Sequence, residues 1–119
     1  MEYLLLIYGN EADLAKMRET DHAAMYQEFM RFNQSIQQSG NMRAGQRLQP
    51  VATATCVRMR DGKRVVTDGP FAETREQLGG YYLIEAKDLD EALGISERIP
   101  AARWGTIEVR PIAPPPPSA

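Results

Sequence analysis

The sequence predicts an α+β domain. Short apolar runs closed by glycine, asparagine or proline mark strands, two longer stretches with apolar residues three and four apart mark helices, and the two kinds alternate along the chain. The first strand is Tyr3-Leu4-Leu5-Leu6-Ile7-Tyr8, too short for a helix of that composition and ended by Gly9-Asn10. Residues 10–19 read as a loop with one helical turn. Met25, Phe29, Phe32 and Ile36 then recur at helical spacing and predict a first long helix over 21–39, with Thr20 as N-cap and Gly40 as the stop. Residues 44–49, closed by Pro50, predict a short edge strand. Residues 53–60 and 63–67 flank Asp61-Gly62, a dipeptide that favours a tight hairpin turn. After Gly79-Gly80, read as a point of close packing, residues 81–85 form another apolar strand. Asp88-Leu89-Asp90-Glu91 has the form of a capping box, and Leu89, Ala92, Leu93, Ser96 and Ile99 continue a second long helix up to Pro100. A final half-exposed strand spans 106–110, where Ile107 and Val109 alternate with Glu108 and Arg110.

The order strand, helix, hairpin, strand, helix, strand suits a ferredoxin-like sheet with both helices on one face. Residues 1–112 form the domain, and the proline-rich 113–119 form an extended, solvated tail. Two helices shield one side of such a sheet, yet the first strand is apolar on both sides: Tyr3, Leu5 and Ile7 point one way, Leu4, Leu6 and Tyr8 the other. Residues 81–84 repeat the pattern. A second copy packed sheet to sheet covers the open side, so a homodimer is expected; the alternative is that residues 71–78 fold back over that side within one chain. With 14 Lys and Arg against 16 Asp and Glu the chain is no basic nucleic-acid binder, and no apolar run is long enough for a signal peptide or a membrane span. A cytoplasmic setting is expected. Cys56 and His22 are the sole residues of their kinds and the carboxylates are scattered, so neither a disulfide nor a metal site is expected. No dinucleotide fingerprint, phosphate-binding glycine loop or nucleophile elbow is present, and no cofactor is expected.

The segment Asp68-Gly69-Pro70-Phe71-Ala72-Glu73-Thr74-Arg75-Glu76-Gln77-Leu78-Gly79-Gly80, running into Tyr81-Tyr82-Leu83-Ile84-Glu85, resembles the signature of the YCII-related family, in the branch named for its Asp-Gly-Pro-Phe motif. The resemblance extends through the opening strand, Leu48-Gln49-Pro50 with Ala52-Thr53-Ala54-Thr55, the helix from Asp88, Ile99-Pro100-Ala101-Ala102-Arg103 and Val109-Arg110-Pro111-Ile112. It implies a ferredoxin-like dimeric α+β barrel, a small-molecule or enzymatic role, and a genomic association with extracytoplasmic-function sigma factors. It also implies a catalytic histidine and aspartate, for which His22 is the candidate histidine.

Two physical readings of the motif compete. Gly69 allows a tight turn and Pro70 fixes the backbone before Phe71, which is expected to anchor in an apolar pocket. The loop then presents Asp68, Glu73, Arg75 and Glu76 close together, a grouping suited to a polar ligand or to proton transfer. In the plainer reading Asp68 makes a side-chain turn, Glu73 caps backbone amides and Arg75 forms a surface ion pair. His22, in the first turn of its helix, shares a stripe with Tyr26, Phe29 and Asn33 that faces the sheet; Asp68 can orient it as a base, or it is a half-buried histidine bonded to a backbone carbonyl. Tyr8, Arg47, Tyr81 and Tyr82 are second-tier candidates for lining a pocket, Met17, Met25, Met30, Met42 and Met59 fill space, and Trp104 is read as packing near the dimer contact. The functions expected are a small-molecule-binding or regulatory homodimer, with a sigma factor as a further partner, or a cofactor-independent acid–base enzyme that uses a His22–Asp68 pair for elimination or isomerisation of a polar metabolite.

Overall fold

A computed structural model describes residues 1–117 of the chain. β1 (Glu2–Gly9) runs straight into a short helix, α1 (Glu11–Ala15), because the Asn10 side chain accepts the Asp13 N–H at 3.0 Å and so starts the turn. That helix was foreseen as a single turn without bounds. α2 (Glu19–Gln38) begins two residues before the predicted start, with Arg18 rather than Thr20 at the N-cap. No side chain caps it; Glu19 and Asp21 instead put negative charge against the positive end of the helix dipole, and Arg18 Nε lies 3.1 Å from Asp21. It ends at Gly40, whose φ of +80° suits only a residue without Cβ. β2 (Met42–Arg47) follows, then a 3-10 turn at Val51–Thr53, which removes Thr53 from the strand predicted to hold it. β3 (Thr55–Arg60) and β4 (Lys63–Asp68) meet at Asp61 and Gly62, both with positive φ, the geometry of a tight hairpin turn.

β5 (Gln77–Glu85) starts four residues earlier than its apolar run predicts. Gly79 and Gly80 are poor strand formers, but a Cβ on Gly80 would stand 2.9 Å from the Gln46 carbonyl oxygen, so the absence of a side chain is what lets β2 lie alongside. α3 (Leu89–Glu97) is capped by Asp88, whose carboxylate accepts the Glu91 N–H at 2.9 Å. Pro100 then opens a 3-10 turn, Pro100–Arg103, and β6 (Thr106–Pro111) completes the fold. Residues 113–117 carry no helix or strand, and 118–119, the end of the expected tail, lie outside the described residues.

Four strands form one antiparallel sheet in the order β2-β5-β1-β6, and β3–β4 forms a separate two-stranded sheet. The architecture is α+β with the two long helices, α2 and α3, and the short α1, the turn expected within 10–19, which buries no residue. α2 and α3 bring Phe32, Ile36, Ala92 and Ile95 onto one face of the sheet, against Tyr3, Leu5, Tyr82 and Ile84. Leu5, Ile36, Ile84 and Ile99 are completely buried, and each such side chain contributes roughly 1.5–3 kcal/mol relative to exposure. Gly94 sits inside α3 with nothing within 4 Å of where a Cβ would stand. Gly94→Ala is therefore expected to raise stability by about 0.5–1 kcal/mol, seen as a higher urea midpoint at unchanged slope.

The opposite face carries Leu4 against Leu83, Leu6 against Tyr81, and Ala44 beside Leu83. These residues are half-buried by their neighbours in the sheet. The loop that might have folded over them does not: Phe71 is 83% exposed. β3–β4 instead stands out as an arm, with Val57, Val66 and Met59 on one of its faces and all of them exposed. The radius of gyration is 16.8 Å. A compact chain of this length has about 13.5 Å.

Candidate functional site

A cleft of about 660 Å³ opens between α2 and the ends of β1, β2 and β5. Helical spacing builds one wall, since His22, Met25, Phe29 and Asn33 recur every three or four residues and so share a side of α2. The sheet supplies Tyr81, Tyr82, Gln46 and Arg47, and Trp104 comes in from the turn before β6. Tyr82 is 6% exposed, with its ring edge-on to Phe32 at 5.3 Å and its hydroxyl donating to Asn33 Oδ1. Burial pushes the Tyr82 hydroxyl up to about 12. Its folded-state value thus lies above the unfolded one, so the neutral phenol's contribution is fully present below pH 10 and is lost as pH climbs through about 12. In a titration followed by tyrosinate absorbance, Tyr82→Phe is expected to remove one late-titrating phenol and to flatten the fall in stability over that window.

Of the residues singled out in the sequence, His22, Tyr8, Arg47 and Tyr81 line this cleft together. Asp68, Phe71, Glu73, Arg75 and Glu76 do not. Asp68 is held in the arm, paired with Thr55, and Gly69, at a φ of +93°, donates its N–H to the Ala54 carbonyl at 2.7 Å, so the motif leaves from the base of the hairpin. Phe71 has no pocket in its own chain, because the loop carries it away from the core. Further on the loop is pinned: Asn10 Nδ2 donates to the Arg75 carbonyl at 3.1 Å, the Thr106 hydroxyl donates to Glu76 Oε1 at 2.7 Å, and the Glu11 N–H donates to Gln77 Oε1 at 2.9 Å. Among the described residues no ion pair joins Asp68, Glu73, Arg75 or Glu76. Nor does any group of three His, Cys, Asp or Glu side chains among them form a metal site.

The sequence reads Met25, Met30 and Met42 as filler and Trp104 as an interface residue, and the structure puts all four on the cleft. Trp104 carried no periodic signal. Asn33 did carry one, as an amide on an apolar helical stripe. Among the described residues no helix is long and apolar enough to cross a membrane.

Residues 1–115 match the model of the YCII-related domain. The chain belongs to the YCII-related domain family. This YCII-related chain is also 34% identical over 115 residues to an uncharacterized protein of Rhizobium meliloti (strain 1021), a match that covers 95% of the chain and 93% of its relative. The match to the family takes in both the cleft and the arm, so neither is an appendage to the domain.

Proposed function

We propose that this YCII-related protein is a homodimer that binds a small molecule in the cleft beneath α2. The observation that carries the reading is the cleft itself. At about 660 Å³ it has the size of a small-molecule pocket, and its apolar walls are broken by a few polar groups, Asn33, Gln46, Arg47 and His22. Two surfaces left open support the assembly. The antiparallel strand order β2-β5-β1-β6 supports a ferredoxin-like reading, in which the bare side of the sheet would pair with a second copy to make a dimeric α+β barrel. The arm supports the same assembly, since an isolated two-stranded hairpin is marginal in water and Val57, Val66, Met59 and Phe71 need a neighbour to cover them.

An acid–base enzyme built on His22 and Asp68 has less support, because within one chain Asp68 belongs to the arm and His22 to the cleft. Association with an extracytoplasmic-function sigma factor is a further proposal, in which ligand occupancy alters the affinity of the dimer for that partner. To test the binding reading, the labelled protein is titrated with a fragment library and its amide resonances are followed. Shifts at Met25, Phe29, Tyr81 and Trp104 are expected; hits whose shifts fall only on residues 55–68 would place the site elsewhere.

A further inference from the structure

We infer that the cleft selects a flat, aromatic or similarly apolar ligand bearing one negative charge, an aromatic carboxylate being the simplest example. This assignment rests on the cleft being the ligand site proposed above, and it adds the chemistry of the occupant. The lining contains no aspartate and no glutamate, in a chain whose acidic residues outnumber its basic ones. The side chains in it that can present positive charge are His22 and Arg47, and among the described residues neither belongs to an ion pair. Two carboxylates of α2 are engaged with other partners: Asp21 with Arg18 at 3.1 Å, and Glu28 with Arg103 at 2.6 Å. A negatively charged group entering the cleft therefore meets donors and no like charge.

The body of the ligand follows from the walls. Tyr8, Tyr26, Phe29, Tyr82 and Trp104 are among the residues that line it, so an apolar ligand entering the cleft meets aromatic neighbours. An aromatic-walled pocket also suits a cation held over ring faces. Arg47 and His22 decide against that occupant, because a bound cation would face a guanidinium with no carboxylate to balance it. Arg47 also offers the planar fork of donors that fits a carboxylate through two hydrogen bonds.

Three probes of one shape separate these cases by titration calorimetry on the full chain: 1-naphthoate, 1-naphthamide and 1-naphthylmethylammonium. Naphthoate is expected to bind at least about ten-fold more tightly than the amide, the discrimination supplied by one charge-assisted hydrogen bond, and the ammonium compound most weakly. Arg47→Met is expected to bring naphthoate to within about two-fold of the amide, and Arg47→Lys to keep part of the preference. Arg47 is an exposed residue of the edge strand, so both variants are expected to melt with the wild type. Amide or ammonium binding as tight as that of naphthoate overturns the charge assignment and leaves the cleft as a ligand site. Full preference in Arg47→Met also overturns it. Failure of all three probes to bind counts against the cleft reading itself.

Discussion

Leu83→Lys is expected to convert the proposed dimer into a folded monomer. Leu83 lies in the middle of the open sheet face, opposite Leu4 on one side and Ala44 on the other. In a two-fold assembly each copy brings the same patch, so the new ammonium groups are buried near one another, and Glu85, two residues on along this face, is already paired with the N-terminal ammonium at 2.7 Å. Removing an unpaired charge from water costs several kcal/mol, enough to dissolve an interface of ordinary size at micromolar concentration. The fold itself should survive, because Leu83 projects away from the core that Tyr82 and Ile84 share with the helices. Light scattering after size exclusion is expected to give half the wild-type mass, with an unchanged far-ultraviolet dichroism spectrum. A wild-type protein already monomeric at that concentration refutes the proposed assembly. A variant that stays dimeric moves the contact to the arm.

Gly105→Ala is expected to be among the most damaging single-methyl changes in the chain. Gly105 ends the turn that contains Trp104, donating its N–H to the Ala101 carbonyl at 2.8 Å. A Cβ there would stand 2.1 Å from the Tyr8 carbonyl oxygen and 3.3 Å from that of Ala101. Both obstacles are backbone, so no side chain can swing aside and β6 must shift away from β1. Overpacking of this kind costs about 3 kcal/mol, and for a domain of this length that corresponds to a fall of roughly 10 °C in Tm. Gly94→Ala serves as the control, adding the same methyl where there is room for it. Equal melting temperatures for the two variants would mean that the approach of Gly105 to Tyr8 is looser than described here.

The features legible in the sequence are those written in neighbouring residues. Asp61-Gly62 declares its hairpin because both positions need positive φ, and Asp88 declares its helix because its carboxylate meets an N–H three residues on. The two-sided apolar character of residues 3–8 and 81–84 likewise comes through alternation, and the structure adds their register, Leu4 to Leu83 and Leu6 to Tyr81. What stays hidden depends on where a loop travels. The spacing of Asp68, Glu73, Arg75 and Glu76 puts them near one another in the chain, but the arm that holds Asp68, outside the sheet that borders the cleft, is set by pairing between β3 and β4 and by its absence between the arm and the main sheet. For the same reason Phe71 was assigned a pocket that its own chain does not supply. On the cleft, the stripe from His22 to Asn33 was readable as a helix face. Trp104 and the approach of β2 to Gly80 became visible only once distant segments were brought together.

The placement of β1 bears on how the protein comes into being. Tyr3 lies opposite Ile84 on one side and Pro111 on the other, so the first strand of this sheet to be translated waits for the last two of the sheet. Until residue 77 has followed, Leu4, Leu5 and Leu6 have no ladder to join. Such distant pairing makes for slow acquisition of the native state and leaves a greasy segment at the mercy of chaperones while translation proceeds.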